Sequence, residues 1–224
     1  EALADRAGKL AYMAALDRPH IRVAGSLPPL FGSYRPDLFD AAAAPARIAP
    51  LIAGLAPHVD LWLAETLSAI EEAQVVANAL ADRDKPLWLS FTLEDEAADA
   101  ATAPRLRSGE PVALAARFAQ ECGAEALLFN CSQPEVMEAA LRAAQAEAPG
   151  LTLGVYANAF PPQPKDASAN ETLHDLRADL DPEGYLGWVR RWVECGARIV
   201  GGCCGIGPDH IAAIAASGLD QPRP

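Results

Sequence analysis

The sequence lacks an apolar run of the roughly 20 residues that a membrane-spanning helix needs, and its opening residues show no signal-peptide pattern. Basic residues are also scarce, because 18 Lys and Arg stand against 30 Asp and Glu, for a net charge of −12. Nucleic acid and anionic membrane surfaces would repel a chain this acidic. We therefore expect neither of them as a partner.

A disulfide framework of paired cysteines is missing as well, because the chain has five cysteines, an odd number. Together with the absence of an export pattern, this favours a reducing compartment, where thiols bind metals or take part in catalysis. The sequence therefore predicts a cytoplasmic protein whose cysteines carry chemistry rather than crosslinks.

Hydrophobic residues make up 51% of the 224 residues, enough for a sizeable core, and we expect a single domain over residues 1–224. After an opening helix, short apolar runs alternate with helical patterns, which is typical of a parallel sheet covered on both faces. Strands are predicted at 21–26, 59–64, 87–91, 126–131, 151–156 and 198–200. Helices are predicted at about 2–16, 41–56, 68–83, 111–122, 132–147, 182–195 and from 208 onward.

Two of the predicted helices begin with the spacing of a capping box. Ser68 is followed three residues later by Glu71, and Ser132 by Glu135. In such a box the serine hydroxyl and the glutamate carboxylate each accept a hydrogen bond from a free backbone N–H of the first turn. The spacing predicts that both serines are helix N-caps.

The most informative stretch is Gly201-Gly202-Cys203-Cys204-Gly205, directly after the apolar run 198–200. A buried strand gains no packing from two adjacent cysteines among glycines. Glycine does let the backbone bend, so that neighbouring side chains turn toward one point. Two thiolates there would be two ligands of an open zinc site, and Cys131, which closes another apolar run, is the candidate third ligand. The alternative is a buried or disulfide-linked pair without metal.

The polar candidates for a functional site all fall at the carboxyl ends of predicted strands: Ser26, Glu65, Asn130, Cys131, Cys203 and Cys204. In a closed barrel such ends surround one mouth, whereas in an open doubly wound sheet the outer ones lie far apart. We therefore expect a TIM-type (β/α)8 barrel. The six predicted β/α units are two short of eight, and because a helix comes first, we expect the first two units to be the missing ones.

Four segments in this order resemble the homocysteine S-methyltransferase family: Val23-Ala24-Gly25-Ser26, Glu65-Thr66 with Glu71-Glu72, Phe129-Asn130-Cys131-Ser132, and the double-cysteine stretch with Pro208 to Ile211 after it. The resemblance implies a zinc-dependent barrel in which Cys131, Cys203 and Cys204 hold Zn²⁺. The family's opening segment, a strand ending in an Asp-Gly-type turn, has no counterpart here. We accordingly expect an N-terminally truncated homocysteine-binding barrel.

The resemblance also implies a reaction and roles for the polar residues. A methyl group would move from S-methylmethionine, or S-adenosylmethionine, to the thiolate of homocysteine at the zinc, giving methionine. Glu65 would bind the ammonium group of homocysteine, or else be an exposed carboxylate at a loop start. Asn130 would support the zinc or the substrate by hydrogen bonding, or only cap a turn. Ser26 would line the mouth, or only serve its turn.

Other functions fit parts of the same pattern. The same chemistry with betaine or a folate- or corrinoid-linked donor is one, and a non-catalytic zinc-binding barrel remnant is another. A redox protein with a disulfide between Cys203 and Cys204 is a third. Aromatic residues in the two long loops would suit a cationic donor, but the sequence assigns no individual role to them. They are Phe31, Tyr34, Tyr156 and Phe160.

Overall fold

The computed structural model describes residues 1–82, 84–95, 103–163 and 175–219. Within these ranges, six parallel strands form one sheet in chain order, each paired with the next. The strands are β1 (Ala24–Leu27), β2 (Leu61–Leu67), β3 (Leu87–Phe91), β4 (Ala126–Asn130), β5 (Thr152–Tyr156) and β6 (Ile199–Val200). Since all six run the same way, all their carboxyl ends lie along one rim of the sheet.

The connections between the strands are helical, as parallel pairing requires. The helices are α1 (Ala2–Ala15), α2 (Ala44–Leu55), α3 (Ile70–Ala79), α4 (Val112–Glu121), α5 (Pro134–Glu147), α6 (Pro182–Glu194) and α7 (Pro208–Ala216). No helix among the described residues is long and apolar enough to cross a membrane. The alternation predicted from the hydrophobic pattern is therefore the observed architecture.

The sheet does not close into a ring in the part of the chain that the structure describes. β1 and β6 are its two edges, and each has one neighbouring strand. A complete (β/α)8 barrel pairs its first strand with its eighth. The expectation of an incomplete TIM-type barrel, with a gap between the strand near Ser26 and the strand before Cys203, is confirmed.

Small residues let the outer helices lie close to the middle of the sheet. Ala115, Ala116 and Ala119 of α4, and Ala140 and Ala144 of α5, have no exposed surface. All five residues of β4 are buried as well. Close packing of this kind fixes side chains in place, and it therefore fixes the end of β4, where Asn130 leads into the first of the clustered cysteines.

The two capping boxes predicted from spacing are wrong. Helix α3 begins one residue later than the spacing implies, with Ala69 as its N-cap, and the Glu72 carboxylate, not that of Glu71, accepts from the backbone N–H groups of Ser68 and Ala69. The Ser68 hydroxyl lies instead 3.2 Å from Thr92 Oγ1. Tertiary contacts outcompete the local cap here, because a buried hydroxyl needs a partner wherever the packing offers one.

The second box fails for the same reason. Helix α5 begins at Pro134 with Gln133 as its N-cap, and no side chain caps it. The Ser132 hydroxyl is buried and accepts from the backbone N–H of Leu93 at 2.8 Å. The Glu135 carboxylate forms an ion pair with Arg177, at 2.6 Å.

The two largest differences between predicted and observed strand boundaries are three residues each. β1 begins at Ala24 rather than at Ile21, whose side chain is exposed. β2 runs on past the predicted end at Ala64 and includes Glu65 and Thr66. The register between β2 and β3 shifts between Ala64 and Leu67, so this end of β2 contains a bulge. Bulges re-aim side chains, and this one carries the polar pair Glu65-Thr66 at the rim.

Candidate active site

The polar residues singled out in the sequence lie along the rim formed by the carboxyl ends of the strands. Ser26 is in β1, Glu65 in β2 and Asn130 at the end of β4. Cys131 follows directly after β4, and Cys203 and Cys204 follow β6. The structure brings residues from strands far apart in sequence to one side of the sheet, where catalytic groups of barrel enzymes are found.

The three sulfur atoms form a compact triangle. Cys131 Sγ lies 3.7 Å from Cys204 Sγ, and Cys203 Sγ lies 3.9 Å from Cys204 Sγ. All three sulfurs lie within 4.8 Å of one another. Sulfurs bound at about 2.3 Å to one tetrahedral zinc are about 3.8 Å apart, so the donor set fits a single Zn²⁺ in both chemistry and spacing.

Backbone contacts with the end of β5 and the segment after it hold the cysteines at these positions. The N–H of Cys131 donates to the carbonyl of Tyr156 at 3.2 Å, and that of Cys203 to the carbonyl of Ala157 at 2.9 Å. Cys204 accepts from the N–H of Ala159 at 2.9 Å. Gly205 then turns the chain with φ +80°, where a Cβ would lie 2.9 Å from that of Ala159. Only glycine suits this turn.

The thiols influence one another strongly. Hydrogen bonds from Cys131 and Cys203 lower the pKa of Cys204 to about 3. The pKa of Cys203 is raised, because its proton is held in hydrogen bonds toward Cys131 and Cys204, and burial adds to this. By themselves, the three thiols therefore favour one thiolate with two protonated neighbours. A divalent cation among them would favour ionisation of all three.

The Glu65 carboxylate is held at both oxygens by hydroxyl groups. Ser26 Oγ donates to Oε1 at 2.5 Å, and the Tyr156 hydroxyl donates to Oε2 at 3.0 Å. Burial, and then the charge of Glu65, raise the pKa of Tyr156 well above its usual value, so the phenol stays protonated and remains a donor. Two fixed donors leave the other lone pairs of the carboxylate available to a cation.

Asn130 is fully buried and fastens the bulge that carries Glu65. Its Oδ1 accepts from the backbone N–H of Thr66 at 3.0 Å and from Ser90 Oγ at 2.8 Å, while Nδ2 donates to Thr66 Oγ1 at 2.9 Å. These contacts join Asn130 to Thr66 of β2, 64 positions away in the sequence, and to Ser90 of β3, 40 positions away. The Asn130 carboxamide therefore supports the part of the rim formed by the ends of β2 and β3.

Backbone strain is concentrated at this site. Three non-glycine residues among those described have a positive φ: Tyr34 (+67°), Thr66 (+64°) and Cys131 (+51°). Such conformations cost on the order of 1–3 kcal/mol each, and they persist where surrounding contacts enforce them. Hydrogen bonds connect the three residues through β4, since Tyr34 bonds to Cys131 and Thr66 bonds to Asn130, the residue before Cys131. Strain gathered at one place is a mark of a functional site.

We expect Asn130→Ala to lower the free energy of unfolding by about 2–4 kcal/mol, because it removes three hydrogen bonds made by a buried carboxamide and leaves the strained Thr66 without their support. Urea denaturation followed by circular dichroism measures the change. The matched control is Asn78→Ala on the exposed side of α3, which should change the same free energy by less than about 0.5 kcal/mol. Equal midpoints for Asn130→Ala and the parent chain would contradict the assigned role.

A family model described as homocysteine S-methyltransferase matches residues 1–217. The chain belongs to this family. The fold and the order of the cysteines along the chain agree with the resemblance noted in the sequence.

Relatives with established names support the assignment. The homocysteine S-methyltransferase of Escherichia coli (strain K12) is 32% identical, over 94% of this chain and 67% of that protein. Homocysteine S-methyltransferase 4 of Zea mays is 30% identical, over 74% of this chain and 45% of that protein. The chain spans about half the length of the curated plant relatives it matches. The metallated form of the homocysteine methyltransferase MmuM from Escherichia coli gives a TM-score of 0.73 at 28% identity, over 96% of this chain and 70% of that chain.

The sequence assigned no individual role to four residues that the structure places at the rim: Tyr34, Thr66, Ser90 and Tyr156. Ser90 carried the clearest signal, as the one polar residue in the otherwise apolar β3, Leu87–Phe91. The two tyrosines were noted only as aromatic residues near the long loops, and the structure places Tyr156 at the end of β5. Their partners are 97 and 91 positions away. No local pattern in the sequence indicates contacts at that distance.

Proposed function

We propose that this chain transfers a methyl group to the sulfur of homocysteine, with S-methylmethionine or S-adenosylmethionine as the donor and methionine as the product. The observation that carries the proposal is the triangle of sulfurs, with Cys131–Cys204 and Cys203–Cys204 separations of 3.7 and 3.9 Å, in a chain of this family. A structural zinc site needs four protein ligands, whereas three ligands are typical of a catalytic site.

In this proposal Cys131, Cys203 and Cys204 hold Zn²⁺. When bound, the metal would supply the means to ionise a substrate thiol at neutral pH, where a free thiol of pKa about 8.5 is mostly protonated. The glycines beside the pair and the backbone bonds to residues 156–159 keep the three ligands in place while substrates come and go. Positioning by a rigid frame is the protein's contribution.

Glu65 gives the substrate its orientation. Its carboxylate is fixed by Ser26 and Tyr156 and would pair with the ammonium group of homocysteine. Asn130, which accepts a hydrogen bond from Ser90, holds Thr66 in the neighbouring bulge and so supports the strand end that carries this carboxylate. A charge-assisted hydrogen bond with so little freedom selects an amino acid over a simple thiol.

The proposed reaction needs no oxidant. The homocysteine sulfur, having lost its proton, forms a bond to the donor methyl carbon with its own electron pair. The bond between that carbon and the positively charged donor sulfur breaks in line, and its electron pair stays with the donor as a neutral thioether. With S-methylmethionine, both products are methionine. An in-line path requires the two sulfurs on opposite sides of the methyl group, which is an orientation effect.

A zinc-binding protein without turnover is the second candidate. The observation that favours it is the open sheet, in which β1 and β6 have no strand partner across the gap in the described residues. An incomplete barrel can retain the sulfur triangle, because β4 and β6, the strands that precede Cys131 and the double cysteine, are both paired with β5. Such a protein would bind metal and release no methionine.

The deciding experiment measures methionine formed from homocysteine by the zinc-loaded protein with a panel of donors. The panel contains S-methylmethionine, S-adenosylmethionine, betaine and 5-methyltetrahydrofolate, and mass spectrometry of a deuterated methyl group follows the transfer. We expect label in methionine with a sulfonium donor. Label in methionine from betaine or the folate, and from neither sulfonium compound, would show that the proposed donor is wrong. Bound zinc without label from any donor would establish the second candidate.

A further inference from the structure

The hydroxyl of Tyr34 lies against one of the three clustered sulfurs. It donates to Cys131 Sγ at 2.8 Å and lies 3.4 Å from the carbonyl oxygen of the same residue. The hydroxyl of Tyr34 is therefore placed to donate a hydrogen bond to that sulfur.

Both residues of the contact between Tyr34 and Cys131 have a strained backbone. Tyr34 belongs to the loop between β1 and α2, far from Cys131 along the chain, and has φ +67°. Cys131 itself has φ +51°. A tyrosine that only filled space in a loop would have no reason to adopt a strained backbone opposite another strained residue. The geometry thus points to a specific interaction between hydroxyl and sulfur.

A buried cation lies on the ring of Tyr34. The guanidinium carbon of Arg107 is 4.9 Å from the ring centroid, and Arg107 is only 4% exposed. The guanidinium donates to the carbonyl of Gln163 at 3.0 Å, and the backbone N–H of Gln163 donates to the buried Asp95 carboxylate at 3.1 Å. A chain of contacts from Asp95 through Gln163 therefore holds the positive charge over the phenol.

We propose that Tyr34 is a positioning residue that holds Cys131 Sγ and withdraws electron density from it, and that Arg107 fixes and polarises Tyr34 for this task. The inference rests on the metal site proposed above. Three thiolates around a divalent cation carry one surplus negative charge, which a donor hydrogen bond partly offsets. A cation over the ring makes the phenol O–H a stronger donor.

This arrangement makes the three sulfur ligands unequal. Among the donors that the structure describes, Cys131 has the phenol hydroxyl, while Cys203 and Cys204 make only sulfur contacts through their side chains. Cys131 is also the buried member of the cluster, whereas Cys204 is exposed. We therefore expect the hydroxyl to act on Cys131 and not on the other two sulfurs.

The test replaces zinc by Co²⁺ and records the sulfur-to-cobalt charge-transfer band of the parent chain and of Tyr34→Phe. This variant keeps the ring, and hence the packing and the contact with Arg107, and removes only the hydroxyl. A sulfur that has lost its hydrogen bond gives up its electrons more easily, so the band should move to longer wavelength. Metal affinity measured by chelator competition should fall by about tenfold or more. Tyr12→Phe on the exposed side of α1 is the matched control and should change neither quantity.

Arg107→Met tests the second half of the proposal, because it removes the charge and keeps an apolar chain over the ring. It should shift the band in the same direction by a smaller amount. Since Arg107 acts through the hydroxyl, the double variant should shift the band no further than Tyr34→Phe alone. An additional shift in the double variant would overturn the role given to Arg107.

The outcomes separate this inference from the metal site on which it rests. An unchanged band and an unchanged affinity in Tyr34→Phe, with cobalt bound, would overturn the role of Tyr34 and leave the site intact. Failure of the parent chain to show any sulfur-to-cobalt band would overturn the metal site, and the inference with it.

Discussion

Replacement of Cys204 by serine is expected to abolish the proposed stoichiometric zinc binding and, with it, the proposed methyl transfer. Cys204 Sγ lies within 4 Å of both other sulfurs, at 3.7 and 3.9 Å, so its loss leaves two ligands where an open site needs three. Loss of a residue that merely supports a ligand costs about 10–100-fold in metal affinity, and loss of the ligand itself should cost more than about 100-fold. Competition with a chromophoric chelator measures the affinity.

The fold should survive this change, because Cys204 is exposed and a serine fits in its place. Cys195→Ser is the matched control. Cys195 directly follows α6 and precedes β6, so it lies toward the amino ends of the strands, away from the rim. It should leave zinc content at the parent value. One zinc per chain in Cys204→Ser, with parent-like affinity, would disprove the proposed ligand set.

The second large effect is expected for Glu65→Gln, which should weaken homocysteine binding by roughly 10- to 150-fold without changing zinc content. The amide keeps the size of the side chain but removes the negative charge that would pair with the substrate ammonium. A hydrogen bond to a charged group contributes about 1.5–3 kcal/mol, which corresponds to that range of affinity. Titration calorimetry of the zinc-loaded protein with homocysteine gives the dissociation constant.

Glu71→Gln supplies the control for this substitution, since Glu71 is an exposed carboxylate in the first turn of α3. It removes the same charge from the same region of the chain and should leave the dissociation constant unchanged. The dissociation constant of Ser26→Ala should lie between those of Glu65→Gln and Glu71→Gln, because Tyr156 still holds the Glu65 carboxylate. Identical binding by Glu65→Gln and the parent chain would remove Glu65 from the substrate site.

The sequence predicted the fold well because the signals for it are local and repeated. Each buried strand is a short apolar run, each helix a longer amphipathic one, and the rule that parallel strands share a rim places their carboxyl ends together. The sulfur triangle followed from the same rule. Cys131 closes one apolar run and Cys203-Cys204 another, so their meeting required only that both runs be strands of one barrel.

Local signals failed where tertiary contacts compete with them. Ser68 and Ser132 have the spacing of N-caps, yet both hydroxyls are buried against other elements, near Thr92 and Leu93. β2 was expected to end before Glu65, where its apolar run stops, yet the strand continues through Glu65 and Thr66. Strand residues at the mouth of a barrel can be polar and still be paired with the neighbouring strand. Hydrophobic pattern therefore locates elements better than it locates their ends.

By itself, the sequence determined the parallel α/β architecture, the missing closure of the barrel and the identity of the cysteine cluster. Each of these depends on patterns within a few residues, combined with one topological rule. Only the tertiary structure decided how the cluster is supported: Tyr34 on Cys131 from 97 positions away, Tyr156 on Glu65 from 91, and Asn130 on Thr66 from 64. These contacts depend on loop paths and on positive φ values that packing imposes, and no periodicity along the chain encodes them.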